Sequence, residues 1–449
     1  MENKFDFDRL LELLEGRQYA LLREELSHLN EVDIAQFLEE LPDEKSVVVF
    51  RMLPKEMASD VFSELSPEMQ KYLIESITDC ELAVIVEDLF VDDAVDMLEE
   101  LPANVVKRVL KNATHETRQL INQFFQYPEN TAGSIMTAEF IDLRGSMTVR
   151  EAIDFIRRTG EESETIYTCY VIDARRMLRG VVELKELLLA ADDQLVEELM
   201  DGDVIRAVTT DDREDVAQQF SKYGLISMPV VDREGRLVGL VTVDDVMDVL
   251  EQEATEDFEK MAAMHPSEKP YLKTGVFTLA KNRIVWLLVL MISGMLTGAI
   301  LGKYEAAFVT LPILVTFVPM LTDTGGNAGS QSSTLIIRGM AVGEISMRDF
   351  FSVMWKELRV SLVVGVVLSI VNYIRLVITY PGHELVALTV AFAMLATVVM
   401  AKTIGGVLPM IAKALHADPA IMAAPLITTI VDALSLVIYF GIATALLPI

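Results

Sequence analysis

The sequence ends in five apolar runs, which constrain the fold more than any other feature. A helix needs about 20 mostly apolar residues to cross the ~30 Å hydrocarbon core of a bilayer. The runs carry few charges, so residues 280–449 are predicted to form an α-helical transmembrane domain of five spans. The five predicted spans are Ile284–Leu301, Ala306–Thr322, Val360–Tyr380, Leu385–Ala412 and Pro419–Ile449.

The positive charges between these runs predict an orientation. Lys281 and Arg283 precede the first run, and the 338–359 connection and Lys413 lie on the same side, whereas Lys303 lies on the other. Basic residues concentrate on the cytoplasmic side of a membrane. The N-terminal half has no apolar signal segment at its start. We therefore expect a multi-pass protein of the cytoplasmic membrane, with a cytosolic N-terminal half and an extracytoplasmic C-terminus.

Asp432 is the most unusual residue in these runs, because it lies about a dozen residues inside the last one. At ~1.5 Å of rise per residue, its carboxylate is roughly 18 Å deep. A charge at that depth costs at least a few kcal/mol, so it faces a protein or water-filled interior and marks an ion or proton path. The alternative is a protonated Asp432 that hydrogen-bonds to a neighbouring helix.

Charge is distributed very unevenly along the chain. Residues 281–449 contain 10 of the 38 Lys+Arg and 8 of the 68 Asp+Glu, so residues 1–280 contain 28 and 60 and carry a net charge of −32. This acidity excludes nucleic acid and favours cations as partners, although it also serves solubility. Cys80 and Cys169 lack the spacing of a metal site and suit a reducing compartment.

Residues 1–130 contain a repeat with a period of 12. The segment Leu38–Glu44 recurs at 50–56, 62–68 and 98–104, with weaker copies between them. Each copy predicts a short helix that stops at a Leu-Pro pair, because the residue before proline is pushed out of the helical region. Such short stacked helices predict an all-α solenoid.

Residues 137–250 contain two copies of a longer unit, which predicts helix, strand, turn, strand and helix. The units span 137–199 and 200–250 and resemble a CBS-domain pair, an α/β fold. The resemblance implies a site for ATP or another adenine nucleotide, with Thr242 and Asp245 contacting the ribose. The first copy has Glu183 and Glu186 at the matching positions, so at most one nucleotide site is expected, and a purely structural pair is the alternative.

Residues 244–270 form an acidic connector that is predicted to be helical until near Pro266. Like charges three or four residues apart oppose a helix. A divalent cation such as Mg²⁺, which prefers oxygen ligands, would relieve this repulsion. A solvated acidic face is the alternative. The acidic residues are Asp244, Asp245, Asp248, Glu251, Glu253, Glu256, Asp257 and Glu259.

Residues 319–338, between the second and third runs, are rich in Gly, Ser and Thr and also contain Asn327 and Gln331. Glycine lets backbone carbonyls approach an ion or a helix, and the polar side chains supply neutral oxygens. We expect non-helical backbone here, which is tolerated at membrane depth only where it is buried in protein or lines a water-filled cavity. No Gly-Lys-Ser/Thr follows, so a phosphate-binding loop is disfavoured.

Taken together, these features resemble the MgtE family of bacterial magnesium channels and transporters over essentially the whole chain. The residues that carry the match are Tyr127, Pro128, Glu129, Ala132, Gly133, Met136, Glu253–Asp257, Gly325–Asn327, Gln331, Asp418, Pro419 and Asp432. The resemblance implies a homodimer with a central pore, in which Asp432 coordinates hydrated Mg²⁺. Thr428 and Asn327 are further candidate ligands near it.

The resemblance also implies a regulatory role for cytosolic Mg²⁺, which would hold the pore shut by joining the solenoid, the CBS pair and the connector. Asp92 and Asp96 would then face Asp245 and Asp248, with Asp93 as an alternative on the solenoid side. In the connector, the residues that would approach Asp418 are Glu253, Glu256 and Asp257.

Several alternatives stay open. The ion could be Co²⁺, Mn²⁺ or Ca²⁺, and Asp432 could serve proton-coupled transport. The helices could instead anchor a sensor of Mg²⁺ or nucleotide. An intramembrane enzyme is disfavoured because the chain lacks His-Glu-x-x-His and its Ser/Thr-rich segment has no partnered base. We therefore predict no catalytic residue.

Overall fold

The computed structural model describes residues 7–267, 271–272, 274–422 and 424–447. The chain divides into two compact units, residues 1–249 and 250–449. The second unit contains the predicted membrane domain, and the acidic connector has residues in both units. Each unit is described by itself below.

The first unit begins with ten short helices. From the third helix onward, each helix starts 12 residues after the previous one, as the sequence repeat predicts. Leu41 shows how a helix ends, because it is extended (φ −81°, ψ 154°) before Pro42. The helices are α1 (Phe7–Glu15), α2 (Tyr19–Leu26), α3 (Glu31–Glu40), α4 (Asp43–Phe50), α5 (Lys55–Ser63), α6 (Pro67–Ser76), α7 (Asp79–Asp88), α8 (Val91–Glu100), α9 (Ala103–Asn112) and α10 (His115–Phe124).

These helices pack mainly on their second neighbours along the chain. Helix α5 contacts α3 and α7, while α6 contacts α4 and α8. Their apolar side chains form a continuous core that includes Phe37, Phe62, Leu73 and Leu98. Helices of 8–10 residues are too short to be stable alone in water, so this shared core holds them.

The rest of the first unit contains two three-stranded sheets, one from each copy of the α/β repeat. In each sheet, the first two strands are parallel and the last two are antiparallel. The first copy contains β1 (Phe140–Arg144), α11 (Val149–Thr159), β2 (Thr165–Ile172), β3 (Leu178–Glu183), α12 (Leu184–Leu189) and α13 (Val196–Leu199). The second contains β4 (Ala207–Val208), α14 (Arg213–Tyr223), β5 (Ser227–Val231), β6 (Leu237–Thr242) and α15 (Val243–Met261).

The two sheets share a small core. Tyr170 and Ile172 of β2 pack with Val231 of β5 and Leu240 of β6. The buried Tyr170 and Ser227 hydroxyls lie 2.8 Å apart and hydrogen-bond to each other. The two copies are therefore joined by apolar burial and by a satisfied polar contact.

The second unit is built from long helices after the end of α15. Helices α18, α20 and α21 contact one another, α19 packs on α20, and α16 packs on α21. A 3-10 segment, Pro312–Phe317, precedes α18, and another, Pro419–Met422, precedes α21. The helices are α16 (Val276–Lys303), α17 (Glu305–Thr310), α18 (Val318–Ala341), α19 (Phe350–Thr379), α20 (Glu384–Ala414) and α21 (Ala424–Leu446).

Three local predictions in this unit were wrong. The run Ala306–Thr322 is not one spanning helix, because it is divided among α17, a 3-10 segment and the start of α18. The Gly-rich segment 319–338 is helical rather than irregular. The connector helix ends at Met261, before Pro266, and Ala263 has a positive φ of 54°.

Hydrogen bonding explains why the Gly-rich segment is helical. A helix satisfies all the backbone polar groups within the segment, whereas irregular backbone would leave several unpaired in lipid. Among the described residues, four helical segments are long and apolar enough to cross a membrane, and α18 is not among them. These segments are Val276–Lys303, Met347–Thr379, Glu384–Ala414 and Pro419–Leu446.

Candidate metal sites

Helix α18 presents a polar stripe along one side. The side chains of the stripe are exposed and recur every three or four residues, as neighbours on one helix face do. The buried residues of α18 include Gly325, Gly326 and Gly329, which face other helices. A polar, exposed face on a helix among membrane spans points to a water-filled environment. The stripe consists of Asp323, Asn327, Gln331, Thr334 and Arg338.

Asp432 lies on α21, half-buried, and the Asp323 carboxylate is close enough to repel it. Glycines of α18 allow this approach: a Cβ at Gly326 would lie 2.9 Å from the Thr428 side chain. The Thr428 hydroxyl donates to the Pro425 carbonyl oxygen at 2.9 Å, which leaves its oxygen lone pairs available. Asp432, Asp323 and Thr428 thus supply oxygen atoms between two packed helices.

The first unit contains a second acidic site, which we call the five-carboxylate cluster: Asp92, Asp93 and Asp96 of α8, Glu164 of the turn before β2, and Asp245 of α15. Asp245 repels each of the other four carboxylates. Nothing in the described part of the chain forms an ion pair with any of the five. One oxygen of Asp92, Oδ1, is buried and has no hydrogen-bond partner among the described residues.

These surroundings disfavour the charged form of every member of the five-carboxylate cluster. Burial and then the neighbouring carboxylates raise the pKa of Asp93 to about 6 and that of Glu164 to about 7. Burial raises the pKa of Asp245 to about 6 against the hydrogen bonds from Thr242. The pKa of Asp92 is also raised, and that of Asp96 rises to about 7 although its side chain is exposed.

A third acidic site lies in the second unit, and we call it the Lys260 cluster: Glu253, Glu256, Asp257 and Asp418 around Lys260. The Lys260 ammonium donates to Asp418 Oδ2 at 2.6 Å and also pairs with Glu256. Asp418 Oδ1 accepts from the Ala420 backbone N–H at 2.8 Å, which orients the carboxylate. A protein ammonium therefore occupies the position between two of the carboxylates.

Charge and burial act against each other in the Lys260 cluster. Burial opposes the charged form of Lys260, but its hydrogen bonds to Asp418 and Glu256 raise its pKa. Burial and the Asp418 carboxylate raise the pKa of Asp257. Next to Lys260, Met261 packs on Ile337 and Ala420. The end of α15 is therefore held by two ion pairs and an apolar contact.

The structure brings most of the predicted site residues into these clusters. Asp92 and Asp96 lie near Asp245, and so does the alternative Asp93, while Asp248 lies near both Asp245 and Glu64. Glu256 pairs with Lys260, and Asp257 lies near Asp418, Lys260 and Glu253. Across the described residues, no group of three or more His, Cys, Asp or Glu side chains is close enough to grip a bare metal ion.

Sequence reasoning missed three contributors. Glu164 follows the acidic pair Glu161 and Glu162, but it is far from Asp245 along the chain, so the sequence did not reveal that the two carboxylates repel each other. Lys260 could have been noticed, because it follows Glu256 by four residues, the spacing of a helical ion pair. Asp323 opens the polar stripe, but its proximity to Asp432 depends on how α18 packs.

The predicted nucleotide motif has a local role in the structure. The Thr242 hydroxyl and backbone N–H both donate to Asp245 Oδ2. In the first copy, the Glu183 backbone N–H donates in the same way to Glu186 at 3.1 Å. Both motifs cap the start of a helix, so the hydrogen bonds by themselves do not require a nucleotide.

Comparison with known families follows the same division of the chain. The model of the MgtE intracellular N domain matches residues 29–130, and the CBS domain model matches 132–193 and 196–252. The model of the MgtE divalent cation transporter matches residues 318–442. The chain is 38% identical over 451 residues to the magnesium transporter MgtE of Thermus thermophilus, covering 100% of this chain and 99% of the relative.

The chain belongs to the MgtE family. It is also 31% identical to the magnesium transporter MgtE of Bacillus subtilis, covering 97% of this chain and 96% of the relative. MgtE membership assigns the long helices of the second unit to a membrane transporter and the first unit to its soluble part.

Two crystal structures of soluble parts support the fold of the first unit. One is the cytosolic domain of the Mg²⁺ channel MgtE in complex with ATP, 38% identical, with a TM-score of 0.51. The match covers 54% of this chain and 99% of the chain in that structure. The other is the soluble part of a magnesium transporter, 32% identical, with a TM-score of 0.53, covering 55% and 98%.

Proposed function

We propose that this MgtE family member is a Mg²⁺-selective channel that takes up magnesium across the cytoplasmic membrane and is closed by cytosolic Mg²⁺. One observation carries the proposal: the carboxylate of Asp432 on α21 and that of Asp323 in the polar stripe of α18 are close enough to repel each other. Similarity over the full length of magnesium transporters supports the choice of ion.

Mg²⁺ suits this arrangement because it binds few carboxylates and keeps several waters. Asp432 and Thr428 on α21, with Asp323 and Asn327 on α18, offer oxygen atoms without imidazole or thiolate, which would favour zinc or copper. Carboxylates in this path attract the cation, and retained waters let it leave again.

We propose a homodimer in which α18 is a fifth spanning helix. Its 24 residues give a length of about 36 Å, enough for the hydrocarbon core. It is too polar to face lipid, but the stripe is exposed in a single chain. A second copy placed across a two-fold axis would enclose the stripes as one water-filled path, with an Asp432 from each subunit.

The five-carboxylate cluster is the best candidate for regulatory Mg²⁺. Its members have the oxygen chemistry that Mg²⁺ prefers, and the buried Asp92 Oδ1 has no partner among the described residues. No positively charged side chain among the described residues pairs with this cluster, and a bound divalent cation would supply that positive charge. The spacing of the side chains fits an ion that keeps part of its water shell, held by Asp92, Asp93 and Asp245.

In this proposal, the carboxylates of each cluster determine how the protein responds to cytosolic Mg²⁺. Repulsion within the five-carboxylate cluster loosens it when the cation is scarce, and cation binding favours the compact state. The equilibrium shifts only by the difference in affinity between the two states. Asp248, with Glu64 nearby, adds negative charge that attracts the cation.

A nucleotide site at Thr242 and Asp245 is part of the same proposal. The ATP complex of the 38% identical cytosolic domain supports ATP or another adenine nucleotide as the ligand. Because Asp245 also belongs to the five-carboxylate cluster, nucleotide and Mg²⁺ binding would be coupled through one side chain.

Flux measurements on the purified full-length chain in liposomes test the transport proposal. Asp432→Asn removes the charge and keeps the shape, so we expect Mg²⁺ flux to fall by about 100-fold, equivalent to about 2.7 kcal/mol. Glu305→Gln, at an exposed residue that begins α17, is the control. Wild-type flux in Asp432→Asn would remove Asp432 from the path.

The same liposomes separate the alternatives. A channel transports Mg²⁺ at the same rate with or without a pH gradient, whereas a proton-coupled transporter accelerates when the gradient is applied. No flux of Mg²⁺, Co²⁺, Mn²⁺ or Ca²⁺ under either condition would favour a membrane-anchored sensor.

A further inference from the structure

Three helices of the second unit meet at a buried polar network that is separate from Asp432. Lys402 of α20 is 6% exposed, and its ammonium donates to the Ser332 hydroxyl of α18 at 3.2 Å. Ser332 in turn donates to Glu357 Oε2 of α19 at 2.6 Å. We call Lys402, Ser332 and Glu357 the three-helix network.

The backbones are very close at the level of this network. A Cβ at Gly405 of α20 would collide with the Gly329 carbonyl oxygen of α18. A Cβ at Gly406 would lie 2.8 Å from the Glu357 side chain. These glycines lie within one helical turn of Lys402 or Ser332, so close backbone packing and the hydrogen bonds fix the same contact.

Ser332 connects the two charged side chains of the three-helix network. Within the described residues, Lys402 and Glu357 do not approach to within 4.0 Å of each other, and the serine hydroxyl bridges them. A buried ammonium in a membrane segment is costly unless it is paired or hydrogen-bonded. Any rotation of α18 that moves Ser332 away breaks both hydrogen bonds at once.

Ser332 lies on the side of α18 opposite to the polar stripe. At 100° per residue, Gln331 and Thr334 are 100° and about 160° from Ser332, and Asp323 is about 180° from it. The remaining stripe residues, Asn327 and Arg338, fall on the same side at about 140° and 120°. When α18 is rotated so that Ser332 accepts the hydrogen bond from Lys402, the polar stripe on the other side of the helix is therefore exposed.

We propose that the three-helix network positions α18, so that its polar stripe faces the water-filled path next to Asp432. Lys402, Ser332 and Glu357 are positioning residues and do not touch the transported ion. The inference rests on the proposed ion path, but it makes a prediction about water access that does not require transport.

Thiol labelling tests water access directly. In the full-length chain with Cys80→Ser and Cys169→Ser, the added substitution Gln331→Cys places one thiol on the stripe. We expect Lys402→Met to slow its labelling by a water-soluble thiol reagent in liposomes by about tenfold, with a similar fall in Mg²⁺ flux, equivalent to about 1.4 kcal/mol. Lys413→Met, at an exposed lysine near the end of α20, is the matched control.

A double variant separates positioning from stability. Lys402→Met with Glu357→Gln removes both charges, so the thermal midpoint in detergent should return close to that of the parent chain. If the network positions α18, labelling and flux stay low in this variant. Recovery of labelling together with the midpoint, or normal labelling in Lys402→Met alone, would overturn the inference. If the parent chain shows no Mg²⁺ flux but Lys402→Met still slows labelling, the positioning inference is retained and the transport proposal is rejected.

Discussion

The five-carboxylate cluster and the Lys260 cluster both consist mainly of carboxylates, but they differ in whether a basic side chain of the described residues pairs with them. The first has no ion pair among the described residues, and Asp92 Oδ1 is buried without a hydrogen bond. The second contains Lys260, which pairs with Asp418 and Glu256. The side chains of Lys260 and Asp418 are only 25% and 29% exposed, so solvent screens their interaction incompletely.

A high density of carboxylates therefore does not by itself predict dependence on a divalent cation. The Lys260 cluster holds the end of α15 with a cation from the chain. No basic side chain in the described part of the chain pairs with the five-carboxylate cluster, and the raised pKa values of Asp93 and Glu164 reflect burial and the neighbouring carboxylates. We therefore expect the five-carboxylate cluster to respond to Mg²⁺ more strongly than the Lys260 cluster.

Removing Lys260 should have the largest effect, because it would leave the Lys260 cluster without a fixed cation. In Lys260→Met we expect chymotrypsin cleavage after Phe258, an exposed residue of α15, to accelerate by about 30-fold in EDTA, equivalent to about 2 kcal/mol of lost local stability. Mg²⁺ should restore protection in the variant, since it would replace the ammonium.

The control is Arg51→Gln, which breaks a more exposed ion pair with Glu81 (43% and 41% exposed) and should change cleavage less than about twofold. Lys260→Arg should keep most of the protection. If the wild-type chain in EDTA is cleaved as rapidly as Lys260→Met, Lys260 does not stabilise the end of α15 and the comparison fails.

Asp92→Asn should produce a smaller effect of the opposite sign. The substitution removes one repelling charge from the five-carboxylate cluster and keeps the shape of the side chain. We therefore expect the free energy of unfolding in the first calorimetric transition of the full chain, measured in EDTA, to increase by about 1 kcal/mol. The additional stabilisation by Mg²⁺ should decrease at the same time.

Asp88→Asn, on the exposed surface of α7, is the matched control and should leave both quantities unchanged. A destabilised Asp92→Asn chain with an unchanged response to Mg²⁺ would show that the Asp92 charge is compensated in the fold.

The pH dependence should give the smallest effect. The pKa values of Asp93, Asp245, Asp96 and Glu164 are raised to about 6 or 7, above the ordinary 3.8 or 4.5, so the folded chain holds protons more tightly than the unfolded chain. Stability in EDTA should therefore increase as pH falls from about 7 towards 4 and be lost as pH rises.

We expect a change below about 1 kcal/mol per pH unit, because several of these side chains are only half-buried. Calorimetry at several pH values checks this, and saturating Mg²⁺ should reduce the slope because it competes with protons. A stability that rises with pH between 5 and 7 in EDTA would contradict the repulsion inferred for the five-carboxylate cluster.

Local sequence patterns predicted much of the fold. The period of 12 predicted the helix starts from Glu31 to His115, because each Leu-Pro pair or cap acts within a few residues. Strands and helices of the α/β repeat also follow local apolar patterns. The acidic connector was correctly expected to be helical, although its end at Met261 was missed.

The Gly-rich segment shows where local reasoning fails. Its glycines and polar residues lower helix propensity, but the backbone is helical, so the N–H and C=O groups are paired within the segment. The glycines instead provide room for Thr428 and for α20. The polar stripe could have been found at helical spacing in the sequence if a helix had been assumed.

The residue types in each part could be read from the sequence: an acidic half, apolar helices, and Asp432 within the last run. The charges that meet could not, because Asp92, Glu164 and Asp245 are far apart in the chain, as are Lys260 and Asp418. Electrostatic interactions and burial depend on distance in space. The contrast between a carboxylate cluster that contains a lysine and one that has no ion pair among the described residues is therefore a property of the packing.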